Sequence, residues 1–261
     1  MNLKQCLNNG QTANGIMLSE LYTPNIMRIL ANCGYDYVLI DCEHGYFDLS
    51  QVANLIAVAE GVALPVWIRV AQSGQADIAK YLDMGARGIL LANAESVSQV
   101  RGLIRACLYA PMGDRGVSTF RAHTNYQHED MRAVMDRANA SNVVIAQIES
   151  PGAVEQIDCI MALEGLDGVL IGPNDLTQHM GMVGNYGSAM LEEMLRRVAD
   201  SAGRHGKWAG IITANEGLLC FCRQVGMRCF SAGSELNALA SGAQANLDRM
   251  LRLQRGEAKE A

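Results

Sequence analysis

Eight short apolar runs punctuate the chain, at 15–19, 36–41, 65–70, 88–92, 143–149, 168–172, 208–213 and 228–232. Each is dense in Val, Ile and Leu and nearly continuous instead of alternating, which is how parallel strands covered on both faces read. Between most of them lie helical periods, such as Leu49, Val52, Leu55, Ile56 and Ala59, or Val97, Val100, Leu103, Ile104 and Cys107. The rhythm is irregular once: residues 93–142 are expected to hold two helices and a loop at 111–127. Eight strands with helical crossovers in 261 residues predict a (β/α)8 TIM barrel, read as one α/β domain over 1–261. The alternative is an open doubly wound sheet. It lacks its usual mark, because Leu18-Ser19-Glu20-Leu21 stands where a glycine-rich dinucleotide loop would follow the first strand. A final helix at about 233–254 carries Leu236, Leu239, Ala240, Leu247, Met250 and Leu251. That stripe suits covering its own barrel or docking on a neighbouring subunit.

Composition narrows the picture. Hydrophobic residues make up 49% and aromatics 5%, so the core is one of Ala, Val, Ile, Leu and Met. A net charge of −6 argues against a nucleic-acid partner, whose phosphates need a basic face. The eight cysteines lack the spacing of a disulfide framework and read as buried thiols. Cys220 and Cys222, two apart in an expected helix, point to different faces. No apolar stretch approaches the roughly 18 residues of a membrane span. Met1-Asn2-Leu3-Lys4-Gln5 has no basic segment leading into an apolar one, as a signal peptide would. A cytoplasmic protein is expected.

Catalytic groups in a barrel come from the C-terminal ends of strands and the loops after them, and polar residues gather there. The ends read Asp41-Cys42-Glu43-His44, then Arg69, Ala92-Asn93, Gln147-Ile148-Glu149, Gly172-Pro173-Asn174-Asp175 and Thr213-Ala214-Asn215-Glu216. Structural roles compete for each: Asp41 or Asp175 as a helix cap, Arg69 as an interior ion pair, His44 as a solvated loop residue. Gln147 and Glu149 are harder to explain away, since alternation sends both to one face of one strand. A carboxylate inside a barrel needs a cation or a hydrogen-bond partner, and Arg69 is one candidate. A divalent ion between Glu149 and Asp175 is the sharper reading, with open positions suiting Mg2+, Mn2+ or Co2+.

An ordered set of motifs then resembles the HpcH/HpaI aldolase family. Besides those already quoted, it includes Val66-Trp67-Ile68-Arg69, Leu82-Asp83-Met84-Gly85-Ala86, Gly113-Asp114-Arg115-Gly116 and Glu164-Gly165-Leu166-Asp167. The resemblance spans about residues 12 to 240. It implies a class II aldolase: a metal-dependent barrel enzyme, usually hexameric, that cleaves a 4-hydroxy-2-oxo acid to pyruvate and an aldehyde through an enolate. Carried over by position, it assigns the metal to Glu149 and Asp175. It gives the 2-oxo acid to Gln147 and to the backbone of Gly172, Pro173, Asn174 and Asp175. His44 becomes the base, or activates a metal-bound water, and Arg69 the stabiliser of the enolate and oxyanion. Asp83 matches an acid that raises the basicity of the histidine; it precedes the fourth strand, so it is expected either to serve a neighbouring subunit or to be simply a helix-terminal Asp. A Schiff-base lysine is not needed, and none of Lys4, Lys80, Lys207 and Lys259 sits at an expected strand end.

The chain departs from the family at Ala92-Asn93-Ala94, at Asn174, and in the polar loop Phe120-Arg121-Ala122-His123-Thr124-Asn125. Polar groups at Asn93, Asn174, Arg121 and His123 point to a polar or anionic second substrate, unless the loop around Arg121 folds away from the site and binds a neighbouring subunit. Two other readings stay open: a synthase condensing oxaloacetate with acetyl-CoA on the same site, and a non-catalytic 2-oxo acid sensor.

Overall fold

A computed structural model describes residues 2–256. The strands are β1 (Ala13–Leu18), β2 (Tyr37–Asp41), β3 (Val66–Val70), β4 (Gly88–Leu91), β5 (Val143–Ile148), β6 (Gly168–Ile171), β7 (Trp208–Ile212) and β8 (Cys229–Ser234). All are parallel and pair in chain order, and β1 closes on β8. Every apolar run forms a strand, with ends displaced by only a few residues.

Side-chain alternation explains where the site lies. On β2 the inward series is Tyr37, Leu39, Asp41; on β3 it is Trp67, Arg69; on β5 it is Val143, Ile145, Gln147 and then Glu149. Each series starts apolar and turns polar at the C-terminal end. Tyr37 stacks on Trp67 at 4.0 Å, and Trp67 faces Trp208 at 6.1 Å between ring centroids. These rings plug the lower barrel, so the polar groups above them line a cavity and not a pore. A second, larger core fills the space between strands and helices.

The helix Leu49–Glu60 starts at Asp48, whose side chain caps it in a reciprocal pair with Gln51, and buries Val52, Leu55, Ile56 and Ala59. Leu49, expected on that stripe, is exposed. Residues 93–142 hold the two anticipated helices, Val97–Cys107 and Met131–Ser141, with a short 3-10 turn at Ala122–Thr124 between them. The C-terminal helix, Glu235–Gln254, does not cover its barrel. Glu235 is its one buried residue, and Leu239, Leu247, Met250 and Leu253 are each half or more exposed.

All eight cysteines are free, as expected, but Cys33, Cys159 and Cys220 are exposed, not buried. Cys220 and Cys222 do face opposite ways. Among the described residues no helix is long and apolar enough to cross a membrane.

Candidate active site

The C-terminal mouth of the barrel opens on a cavity of about 650 Å3. Its β2–β3 side is built around Arg69. The guanidinium donates from Nε to Asp41 Oδ1 at 2.9 Å and from Nη2 to Oδ2 at 2.6 Å, and Nη1 lies 3.2 Å from Glu43 Oε2. Asp41 Oδ1 also accepts the backbone N–H groups of Glu43 and His44, at 3.0 and 3.2 Å. Burial would raise the Asp41 carboxyl, but Arg69 and these N–H groups outweigh it and hold its pKa below the usual value. Asp41 is therefore no helix cap; it fixes both the arginine and the turn that presents His44. Gly45 completes that turn, where a Cβ would sit 2.1 Å from the Asp41 carbonyl oxygen and 2.7 Å from that of Ser19. His44 itself has 74% of its side chain exposed, with Nε2 3.9 Å from Glu43 Oε2.

The β5–β6 side holds the acids. Gln147 Nε2 donates to Glu149 Oε1 at 2.5 Å, and the Asn93 N–H donates to Glu149 Oε2 at 2.9 Å. His179 Nδ1–H donates to the Glu149 carbonyl oxygen at 2.9 Å, steadying the backbone beneath the carboxylate. Asp175 lies in the first turn of the helix Pro173–His179, after Gly172. Burial, with Asp175 and Glu43 nearby, pushes the Glu149 carboxyl up to about 7 against the Asn93 N–H and Arg69. A buried carboxylate whose ionisation is opposed by a neighbouring one suits a cation between them. Two further features fit one. Gly172 leaves room where a Cβ would lie 2.1 Å from Glu149 Oε1, and the buried Gln147 Oε1 has no hydrogen-bond partner. No group of three or more His, Cys, Asp or Glu among the described residues forms a closed cage. Glu149 and Asp175 are the two carboxylates that the β5–β6 side of the cavity offers to a cation, without the thiolate or histidine set of a structural zinc site.

His44, Arg69, Gln147, Glu149, Gly172, Pro173, Asn174 and Asp175 all line this cavity. Asp83 does not. Its carboxylate pairs with Arg115 at 2.6 Å, at the end of the helix Gln75–Asp83, and it borders a separate hollow with Arg121 and Tyr126. His123 Nδ1 bonds to the Asp83 carbonyl oxygen at 3.3 Å, so the 120–125 loop is folded against this helix and not over the mouth. Of the two expectations for this loop, the structure has the one in which it folds away from the mouth, so Arg121 and His123 do not line the cavity. Asn93 also turns out to be a brace: with φ at 46°, it spans Glu149 through its N–H and Glu43 through Nδ2. Asn174 does face the cavity, and its Oδ1 accepts from the Tyr186 hydroxyl. Of the lysines, Lys4 bonds to Asp167 and Lys80 to Asp77, Lys207 donates to the Leu163 carbonyl, and Lys259 lies outside the described residues.

Several residues of the site have no role that sequence pattern alone assigns. Glu43 is the second acid on Arg69. Ser19 and Glu20 line the mouth after β1, and Glu235, the acid directly after β8, accepts the N–H groups of Ser19, Glu20 and Leu21. Tyr186 contributes from the loop beyond the helix Pro173–His179. Glu20 and Glu235 are detectable as acids at the ends of the first and eighth apolar runs.

Comparison with known proteins agrees with this geometry. The profile of the family described as HpcH/HpaI aldolase/citrate lyase matches residues 16–241. The chain is 34% identical to the hydroxypyruvate/pyruvate aldolase of Pseudomonas aeruginosa, covering 90% of this chain and 87% of that one. An HpcH/HpaI aldolase from Desulfitobacterium hafniense superimposes with a TM-score of 0.89 at 30% identity, covering 96% of each chain. The citrate synthase SbnG superimposes at 0.86 with 28% identity, over 98% of this chain and 99% of that one. With its closed parallel barrel and the match over most of its length, the chain belongs to the HpcH/HpaI aldolase/citrate lyase family and is an aldolase-type carbon–carbon lyase.

Proposed function

We propose that the protein reversibly cleaves a 4-hydroxy-2-oxo acid to pyruvate and an aldehyde, with a divalent cation held by Glu149 and Asp175. The observation that carries this is the pairing of those carboxylates with the space left by Gly172 and the unpartnered Gln147 Oε1. Mg2+, Mn2+ or Co2+ would supply Lewis acidity toward the carboxylate and ketone of the oxo acid.

The chain's own groups do the rest. Gln147 and the backbone of Gly172–Asp175 orient the oxo acid. His44, exposed at the mouth, takes the proton from the C4 hydroxyl as the C3–C4 bond breaks. The bonding pair passes into the C2–C3 enolate, and C3 then takes up a proton to give pyruvate. Arg69 offers fixed positive charge where the enolate and oxyanion develop, and its grip by Asp41 and Glu43 keeps it from reorienting.

The same reading makes the protein a homo-oligomer, a hexamer by family likeness. Support comes from the uncovered apolar residues of the helix Glu235–Gln254 and from Asp83, which its own chain keeps out of the cavity. Asp83 would act on the histidine of an adjoining copy. Eight free thiols fit the reducing cytoplasm. Glu149→Gln and Asp175→Asn test the proposal: each should abolish cation binding in calorimetry and cleavage together. Full turnover by either variant would overturn it.

A further inference from the structure

The mouth divides by charge. On the β2–β6 arc, Arg69 is matched by Asp41 and Glu43, and Glu149 and Asp175 are matched by the cation of the proposed reaction. The remaining arc, from β7 through β8 to β1, is lined by Thr213, Asn215, Ser234 and Asn237 with a few apolar atoms, and by Ser19 and Glu20. Of the side chains that line that arc, Glu20 is the charged one, since Glu235 lies behind it against backbone N–H groups, and among the described residues the Glu20 carboxylate makes no ion pair. It is exposed at the rim, but its backbone is not loose. The buried Glu235 carboxylate accepts the N–H groups of Ser19, Glu20 and Leu21 at 2.9, 2.7 and 3.1 Å, tying the loop after β1 to the end of β8.

Resting on the aldolase reading above, we propose that this arc receives the aldehyde, and that Glu20 is a specificity-determining residue selecting neutral hydroxylated aldehydes against anionic ones. Hydroxyl and amide groups at Thr213, Ser234 and Asn237 match hydroxyls, whereas an acceptor carboxylate on this arc meets the Glu20 negative charge and no cation. This narrows the sequence expectation of a polar or anionic acceptor to a polar, neutral one.

The test compares glycolaldehyde with glyoxylate, acceptors of equal length, one neutral and one anionic, in pyruvate condensation with Mg2+. Because the two aldehydes differ in intrinsic reactivity, the readout is how the ratio of their kcat/KM values changes. Glu20→Gln should lower the glycolaldehyde-to-glyoxylate ratio about five- to tenfold, the scale of one partly screened charge at contact range. Glu20→Lys should lower it further, and raising the salt concentration should lower it in the native protein but not in Glu20→Gln. An unchanged ratio in both variants overturns the proposal. Deuterium exchange at pyruvate C3, followed by NMR without any aldehyde, reports the enolate step alone. Exchange with an unchanged ratio refutes the role of Glu20, and absence of exchange refutes the aldolase reading beneath it.

Discussion

Gly172 and Glu149 meet so closely that a single added carbon separates them: a Cβ on Gly172 would stand 2.1 Å from Glu149 Oε1, well inside van der Waals contact. Gly172→Ala should therefore turn the Glu149 carboxylate out of the site while leaving the barrel folded. We expect the cation dissociation constant to rise by more than about tenfold, with little change in far-ultraviolet circular dichroism. Unaltered cation affinity in this variant would show that Glu149 binds no metal in its present position.

Cation binding should depend on pH through Glu149. Its carboxyl, at about 7 in the metal-free protein, is protonated below that pH, and the proton competes with the cation. Apparent affinity should level off above pH 8 and fall about tenfold for each unit below 7. Stability follows the same group. The folded state holds this proton more tightly than the unfolded state, whose value is near 4.5, so metal-free stability is lost as pH rises through 4.5 to 7. The cation should restore it, giving a Tm increment on adding Mg2+ or Mn2+ that grows with pH. Calorimetry and thermal melts at pH 6, 7 and 8 would check both trends; a flat binding profile would remove Glu149 from the linkage.

In the proposed reaction Arg69 has two duties, and its variants should separate them. Arg69→Ala leaves Asp41 buried without its partner, a loss of about 3–5 kcal/mol in stability for a pair this enclosed. It should also lower kcat by about 10²-fold or more, the usual scale for removing an oxyanion stabiliser, with a much smaller change in cation affinity. Arg69→Lys should recover part of the stability but little of kcat, because a point charge cannot grip Asp41 with two nitrogens. A raised KM at native kcat would make Arg69 a binding group instead.

Much of the fold and of the site is legible in the amino-acid sequence itself. Eight both-face-buried strands leave continuous apolar runs, and period-two alternation places Gln147 and Glu149 together without further help. What stays hidden depends on contacts between distant segments. Nothing local shows that Asp41 prefers Arg69 to a helix N-terminus, or that Asp48 takes the cap instead. The 120–125 loop reads as a substrate rim because it is polar, yet the contacts of Asp83 with Arg115 and His123 anchor it elsewhere. Periodicity in the helix Glu235–Gln254 reveals an apolar stripe but not that its own barrel leaves the stripe uncovered.

Asp83 offers a test of assembly that a monomer cannot pass. If it acts on His44 of an adjoining copy, His44→Ala and Asp83→Ala proteins, each impaired alone, should regain activity when unfolded together and refolded as mixed oligomers. In such mixtures some sites carry both native residues. Arg115, 1% exposed and paired with Asp83, predicts that Asp83→Ala also melts earlier. Earlier melting with native kcat, and no complementation, would confine Asp83 to a structural role.

The central claim is that two carboxylates at the barrel mouth make this protein a cation-dependent aldolase. Pyruvate release from 4-hydroxy-2-oxo acids by chelator-treated protein tests it most directly, run beside thiol release from acetyl-CoA with oxaloacetate. The account predicts no pyruvate until Mg2+, Mn2+ or Co2+ is added, restoration by the cation, and no thiol release. Full pyruvate release by protein shown free of metal by elemental analysis, or thiol release in place of pyruvate, would contradict it.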